Sequence, residues 1–287
     1  LPWVLQMKIC IVSPHLDDAL LSCGILMQRE KARGNDVLVL NIFTAGTNAA
    51  NRRVEEQNAI GKAGAEPFFL DELDAPDRNP VYWSNSKLFF GALEDVPEDY
   101  IAKVERRLHA FFAEHQIDVA YFPLAAGNHI DHRIAFTVGL RSKNVAVRFY
   151  EDRPYILWPG VLHGRMHQIG SDAALPPVTQ EMMLASLGDY HYLKHFVPAG
   201  EYQEECLPLY FAALHHKSSN ALVAASETLV ATEDELKRLY DCLSLYDSQM
   251  KFIYPDYDTF IEDSLRYERA NSGREIYAER SWTLKPA

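Results

Sequence analysis

The sequence has few cysteines and no long apolar run. Its 287 residues include four cysteines without C-x-x-C spacing, which argues against a disulfide scaffold and favours reduced thiols in a cytoplasmic protein. The apolar runs fall far short of the roughly 20 residues that a membrane span needs. Residues 1–6 are apolar but lack the basic start and long apolar stretch of a signal peptide, so Met7 resembles a native start.

Positive charge is also scarce. Lys and Arg number 28 against 40 Asp and Glu, which gives a formal net charge of −12, and no basic stripe interrupts this excess. The sequence therefore argues against a nucleic-acid partner. It contains no G-x-G-x-x-G, no phosphate loop and no G-x-S-x-G, so nucleotide cofactors and serine-hydrolase chemistry are unsupported.

The first half of the chain alternates apolar runs with segments of helical spacing. The runs are short and rich in β-branched residues, as in strands that are buried on both faces. Predicted strands are Lys8–Ser13, Val37–Phe43, Pro67–Leu70, Ile117–Pro123 and Ala146–Tyr150, and predicted helices are Ala19–Arg33, Arg52–Ala63, Pro97–His115 and His132–Leu140. This order predicts an α/β fold with a Rossmann-like, mostly parallel sheet and helices on both faces.

The pattern changes after residue 150 to helices and loops, so we expect a helix-rich C-terminal part. Residues 71–97 are polar and irregular, and we interpret them as a long excursion with at most one short helix. Candidate C-terminal helices are Thr179–Tyr192, Tyr202–His216 and Glu233–Tyr246. We expect a catalytic core over residues 7–150 and an extension over residues 151–287 that packs on it and shapes a substrate pocket.

Two clusters of imidazole and carboxylate follow predicted strands. One is Pro14-His15-Leu16-Asp17-Asp18, and the other is Gly127-Asn128-His129-Ile130-Asp131-His132. Ligands bind beyond the carboxyl ends of strands in open α/β sheets, so both clusters fall on the functional edge. His15, one of the two aspartates and His132 would form a three-ligand catalytic zinc site, and the second aspartate could act as general base.

Each cluster alone has a plainer explanation. An Asp-Asp pair at a helix start commonly caps the helix, and H-x-D-H is commonly a polar loop. The occurrence of both at one sheet edge favours a site. His129 could then stabilise an oxyanion or protonate a leaving amine, and Asp131 could accept a ring N–H from one histidine.

Together the two motifs resemble those of the LmbE/PIG-L family of zinc-dependent N-deacetylases, over roughly Lys8 to Tyr150. Three further segments are similar to family segments: Arg53-Val-Glu-Glu56, Tyr150-Glu-Asp-Arg-Pro-Tyr155 and Tyr246-Asp-Ser-Gln249. The resemblance implies that the metal ligands are His15, Asp18 and His132. It also implies that Asp17 is the general base and that His129 is the acid or oxyanion group, with Asp131 as its orienting partner.

The implied activity is zinc-dependent removal of an acetyl group from an N-acetylated amino sugar or glycoside. Fe²⁺ and Co²⁺ are alternative metals. The negative net charge favours an aminoglycoside-like or other amine-bearing substrate from antibiotic or other secondary metabolism. Asn48 and Arg53 are candidates for binding substrate hydroxyls or a phosphate, and a salt bridge to Glu56 is the plainer explanation of Arg53.

The sequence departs from the family pattern at two positions. Leu16 stands where proline is common, and Ala19 stands where glutamate is common. Neither position is a ligand in that pattern, so we expect the metal site to survive. We expect the lost carboxylate at position 19 to change the site entrance and hence the substrate.

Two other functions stay open at this point. A hydratase could use the same metal chemistry, but a keto-diacid substrate calls for several cations, and the motifs have only Arg52, Arg53 and Arg133 nearby. A non-catalytic sugar- or metal-binding module would have no need of Asp17. The i,i+4 pair His191 and His195 lacks an intervening H-E-x-x-H glutamate, so we interpret it as packing.

Overall fold

The computed structural model describes residues 6–158, 160–171 and 222–287, together with 173, 175, 179–186, 189–192, 208 and 212. The strands are β1 (Lys8–Ser13), β2 (Asp36–Ala45), β3 (Glu66–Leu73), β4 (Val119–Pro123), β5 (Ala146–Tyr150), β6 (Leu222–Val230) and β7 (Ala278–Pro286). They form one sheet in the order β3-β2-β1-β4-β5-β7-β6. Neighbours among the first five strands are parallel, and β7 runs antiparallel to both β5 and β6.

Helices cover this sheet. They are α1 (Asp18–Ala32), α2 (Ala49–Lys62), α3 (Ala75–Arg78), α4 (Asn85–Phe90), α5 (Glu98–His115), α6 (Ile130–Arg141), α7 (Val161–Gln168), α8 (Gln180–Ser186), α9 (Glu233–Leu243), α10 (Asp247–Ile253) and α11 (Tyr257–Ser272). Short 3₁₀ turns span Pro80–Trp83, Leu93–Asp95 and Tyr155–Leu157. The apolar side chains of β1 and β2 are almost fully buried, as expected for parallel strands with both faces covered. The predicted α/β fold class is confirmed.

The C-terminal part contains two strands that the sequence pattern did not predict. The expectation of helices and loops alone after residue 150 is wrong, because β6 and β7 extend the sheet by pairing over nine residues each. β6 is mostly exposed along its length, so it lacks the apolar run by which the inner strands were predicted. Strand β7 joins the five parallel strands through two residue pairs with β5, at Phe149 and Tyr150.

The helix predictions had mixed outcomes. Residues 71–97 hold α3, α4 and two 3₁₀ turns, which is more structure than the single short helix expected there. The candidate Glu233–Tyr246 corresponds to α9, and α8 covers part of Thr179–Tyr192. The candidate Tyr202–His216, like His195 and Cys206, lies outside the described residues apart from isolated positions.

Helix α1 is bent at Cys23, whose φ of −133° and ψ of 21° are not helical. Beyond the bend, the N–H groups of Ile25 and Leu26 donate to Oε1 and Oε2 of Glu279 at 2.7 and 2.9 Å. A carboxylate from β7 thus caps the second half of α1 from outside the helix. The bend matters for the site because α1 begins at Asp18, in the first of the two motifs.

No helix among the described residues is both long and apolar enough to cross a lipid bilayer. Cys10, Cys23 and Cys242 are buried free thiols.

Candidate active site

The turn between β1 and α1 presents the first motif. Ser13 Oγ donates to the carbonyl of His15 at 2.6 Å and accepts the N–H of Ala19 at 3.1 Å, which closes the turn. Asp17 within it has φ 117° and ψ −33°, a left-handed conformation that a residue with a Cβ adopts only at a cost of about 1–3 kcal/mol. Strain of this kind concentrates at functional sites.

Three donor atoms of the two motifs converge next to this turn. Oδ2 of Asp18 lies 3.3 Å from Nδ1 of His15 and 3.2 Å from Nε2 of His132. Metal–ligand bonds of about 2.0–2.1 Å in a tetrahedral site place neighbouring donors about 3.3 Å apart. Both measured separations match this spacing.

The outer nitrogens of the two histidines are held by buried carboxylates. Nε2 of His15 lies 3.2 Å from Oδ2 of Asp131, and Nδ1 of His132 lies 2.7 Å from Oδ1 of Asp152. A carboxylate in this position fixes the tautomer and directs the other ring nitrogen toward a metal. Nε2 of His132 is buried and has no hydrogen-bond partner in the part of the chain that the structure describes. The donor set therefore fits a divalent metal ion.

The electrostatics of the cluster also favour a cation. Burial alone would raise the pKa of Asp18, but the adjacent His132 and His15 rings hold that pKa well below its usual range. Burial lowers the pKa of His132, yet Asp18 and Asp152 outweigh it and raise that pKa to about 9. The carboxylates thus stabilise positive charge where the three donors meet.

Asp17 lies in the same cleft but outside the donor set. Burial raises its pKa to about 7, opposed by the charge of Arg52 and reinforced by Asp18. Nη2 of Arg52 lies 3.3 Å from Oδ2 of Asp17 and donates to the carbonyl of Leu16 at 2.7 Å. A carboxyl group with a pKa near neutrality can both accept and return a proton at physiological pH.

His129 faces the same cleft in a neutral state. Its Nδ1 accepts the backbone N–H of Asp131 at 3.2 Å, so the neutral ring carries its proton on Nε2. Burial and the charge of His15 lower its pKa to about 3. The Asp131 carboxylate contacts His15, the N–H of Ala75 at 2.9 Å and Nη2 of Arg78 at 2.6 Å, while its backbone N–H is the group that donates to His129.

Aromatic and aliphatic side chains wall the cleft above these polar groups. The Tyr155 and Tyr192 rings meet edge to face with centroids 6.0 Å apart. Phe252 also lines the cleft and keeps 44 % of its surface exposed. The remaining apolar lining consists of Leu21, Pro76, Leu88, Pro154 and Ile253.

Residues 10–142 match the family profile described as PIG-L, GlcNAc-PI de-N-acetylase. These residues form a PIG-L family domain. The predicted resemblance is thereby confirmed. The PIG-L domain contains all six residues of the two motifs that the resemblance singled out. No curated protein sequence matches the chain.

Several solved structures share the fold of nearly the whole chain. The A40926 pseudoaglycone deacetylase Dbv21 has 18% identity and a TM-score of 0.64, with 98% of each chain covered. A deacetylase of the teicoplanin pathway has 18% identity and a TM-score of 0.68, covering 98% of this chain and 99% of its own. The N,N′-diacetylchitobiose deacetylase from Pyrococcus horikoshii has 14% identity and a TM-score of 0.51, covering 99% and 86%. At these identities the likeness shows the fold.

Several residues of the site were not assigned from the sequence, and four of them lie near the two motifs along the chain or in contact with them. Asp152 and Tyr155 lie after the PIG-L domain, in the Tyr150–Tyr155 segment, while Arg52 and Asp74 lie within the domain. Oδ1 of Asp74 lies 3.4 Å from Nε2 of His15. A metal-binding histidine commonly has a carboxylate on its outer nitrogen, which predicts an acid such as Asp152 there. The sequence alone does not indicate which acid it is.

The two predicted substrate-binding residues lie elsewhere on the PIG-L domain. Arg53 pairs with Asp71 and stacks over the Phe69 ring at 4.4 Å, in place of the alternative bridge to Glu56. Asn48 begins α2 with a φ of 63° and no side-chain cap. Neither is among the described residues that line the cleft. Their substrate role stays a prediction.

The two departures from the family pattern are both buried. Leu16 is 3% exposed and Ala19 is 0% exposed. Ala19 is not among the described residues that line the cleft, and the effect of this position on the entrance stays a prediction.

Proposed function

We propose that the chain is a zinc-dependent hydrolase that removes the acetyl group from an N-acetylated amino sugar. The observation that carries this proposal is the convergence of His15 Nδ1, Asp18 Oδ2 and His132 Nε2 beside the uncoordinated carboxyl of Asp17. The family of residues 10–142, described by its de-N-acetylase activity, supports the reaction class. The His₂Asp donor set suits zinc.

His15, Asp18 and His132 would hold the metal. When bound there, it supplies a Lewis acid that polarises the amide carbonyl and lowers the pKa of water. Asp131 and Asp152 keep the two imidazoles in the tautomer that directs a lone pair to the centre. Their carboxylates also offset the cost of burying positive charge at this place.

Asp17 accepts and returns the proton of the attacking water. Its carboxylate accepts a proton from the attacking water as the water oxygen adds to the amide carbon, and the tetrahedral intermediate collapses when a proton reaches the leaving nitrogen. Because its pKa is near 7, the same Asp17 carboxyl can return the proton it took. Acetate and the free amine are the products.

His129 stabilises the oxyanion as a neutral donor. Its Nε2–H faces the cleft, since Nδ1 is occupied by the Asp131 N–H. A preorganised donor of this kind is worth about 10²–10³ in kcat. With a pKa near 3, His129 is a poorer choice than Asp17 for protonating the amine.

The substrate is an amino sugar carried on an apolar group. Asp74 and Arg52 offer polar contacts on the floor of the cleft, while Tyr155, Tyr192 and Phe252 offer flat apolar surface above it. The structural neighbours include deacetylases named for the glycopeptides A40926 and teicoplanin, which supports a sugar of that kind on a bulky aglycone.

Amine release from N-acetylated glycosides tests the function. The zinc-loaded chain and its Asp17→Asn variant are compared on glucosaminides with small and with aromatic aglycones, and metal content is measured in both. We expect release to fall about 10²–10⁴-fold in the variant while the metal is retained. A stoichiometric metal without release from any substrate would overturn the proposal in favour of a binding module or a hydratase.

A further inference from the structure

A buried polar cluster lies next to Asp17. It is formed by Asn41 on β2, Arg52 and Glu56 on α2, and Tyr246 just before α10. Asn41 and Glu56 are both 0% exposed. Arg52 and Glu56 are four residues apart, so they lie on the same face of α2. The guanidinium that contacts Asp17 therefore has the Glu56 carboxyl as its neighbour on the helix.

The proximity of these groups also appears in their electrostatics. Burial raises the pKa of Glu56 to about 7, and Tyr246, Asn41 and Arg52 each act against that rise. Tyr246 does so through its hydroxyl, which donates to Oε2 of Glu56 at 2.6 Å. Asn41 is paired in register with Ser13, at the end of the strand that leads into the first motif.

Three buried atoms of this cluster lack a hydrogen-bond partner among the described residues. They are Oε1 of Glu56, Oδ1 of Asn41 and Nε of Arg52. The amide orientation of Asn41 is set by its Nδ2, which donates to the carbonyl of Phe68 at 3.3 Å. Buried polar groups are rarely left unpaired, because each costs about 1–3 kcal/mol.

The three atoms are two acceptors and one donor. A water molecule has two donors and two acceptors, so its bonding capacity covers two acceptors and one donor. A protonated Glu56 that donated directly to Asn41 would leave Nε of Arg52 without a partner. The set as a whole thus matches water.

We infer that an ordered water molecule joins Glu56, Asn41 and Arg52, and that Glu56 is a positioning residue that holds Arg52 against Asp17. Arg52 is then fixed at both ends, by the water at Nε and by Asp17 and the carbonyl of Leu16 at Nη2. Asp17 has a strained backbone, so its carboxylate depends on this support. The positioning role rests on the proposed function of Asp17 as base, whereas the water site does not.

A crystal structure of the metal-loaded protein at high resolution tests the water directly. We expect density for one water within about 3 Å of the three atoms. Density that shows no water near the three atoms would overturn the inference. This outcome is independent of any activity, so it can be told apart from a failure of the proposed reaction.

The positioning role is tested with Glu56→Gln and the matched control Glu55→Gln. Glu55 accepts from the N–H and Oγ of Ser248 at 2.8 and 2.6 Å, so it ties α2 to the α10 segment as Glu56 does but does not contact Arg52. The amide in Glu56→Gln puts a donor or a weaker acceptor where a carboxylate stood. We expect kcat to fall about 10–100-fold with KM within about threefold, and the metal content to be unchanged.

The control variant should keep kcat and KM within about threefold of the parent chain. Equal losses in both variants would mean that Glu56 only ties two helices together, and an unchanged kcat in Glu56→Gln would mean that it does not position the base. Either result overturns the inference.

Discussion

The PIG-L domain supplies the three candidate metal ligands and the carboxylate that holds His15, whereas residues after it hold His132 and the helix that begins at Asp18. His15, Asp18 and His132 all come from residues 10–142, but the carboxylate on the outer nitrogen of His132 belongs to Asp152. The carboxylate that caps the bent helix α1 belongs to Glu279. Donor identity is thus encoded in short local motifs, whereas donor orientation depends on contacts that span 20 residues at His132, 116 at His15 and 254 at Ile25.

Loss of a donor from the PIG-L domain should have the largest effect. In Asp18→Ala we expect metal affinity to fall at least about a thousandfold, because one of three ligands and the charge that stabilises the other two are lost. Competition with a chelator measures the affinity. Metal binding of parental strength in this variant would mean that the three-atom centre is assigned wrongly.

Loss of the helix cap from the C-terminal part should appear mainly in stability. In Glu279→Ala, two buried N–H groups lose their acceptor, and we expect the free energy of unfolding to fall by about 2–4 kcal/mol. Glu275→Ala is the control, since Glu275 forms only an exposed pair with Arg269 and should change stability by less than about 0.5 kcal/mol. Urea unfolding measures both, and equal values would contradict the capping role.

The same carboxyl gives stability a pH dependence. Burial raises the pKa of Glu279 from 4.5 to about 7 in the folded protein. The folded state therefore binds this proton more tightly, so the stabilisation is complete below about pH 4.5 and is lost as the pH rises through 7. Glu279→Gln should flatten this slope between pH 4.5 and 7, and a parental slope in the variant would assign it to other groups.

Loss of an orienting carboxylate should have a smaller effect than loss of a donor. In Asp152→Asn we expect metal affinity to fall about 10–100-fold, because the amide no longer fixes His132 as strongly. Asp247→Asn, at an exposed site in the same C-terminal part, is the control and should keep parental affinity. A loss of metal affinity as large as that of Asp18→Ala would contradict the view that Asp152 only orients a ligand.

The smallest effect should come from Arg53→Ala. Its guanidinium pairs with a half-exposed Asp71, so we expect less than about 0.5 kcal/mol in stability and a kcat/KM within about threefold of the parent. A loss of tenfold or more in kcat/KM would support the substrate contact that the sequence predicts for Arg53.

The parts predicted well from the sequence are those in which the signal is local. The strands that precede His15 and His129 are continuous apolar runs, and each motif follows its strand within a few residues. Arg52 and Arg53 show where this reasoning fails. Adjacent helix positions differ by about 100° around the axis, so choosing the one that faces the site needs the packed structure.

The missed elements depend on long-range pairing. β6 and β7 carry many polar residues, so neither shows the apolar run of a buried strand. They form by pairing with each other, from Leu222 opposite Pro286 at one end to Val230 opposite Ala278 at the other. The acid that supports His132 could be any of 40 Asp and Glu residues until the fold brings Asp152 within 2.7 Å. Such pairings leave no periodic trace in the sequence.

The contact between Glu279 and α1 limits where the chain can be truncated. A fragment that ends at residue 142 would keep both motifs, yet it would lose Asp152, Tyr155 and the oxygens that close the bend at Ile25 and Leu26. Its sheet would also end at β4, with that strand's outer edge open to solvent. We expect such a fragment to bind metal weakly and to aggregate, so the smallest working unit extends to β7.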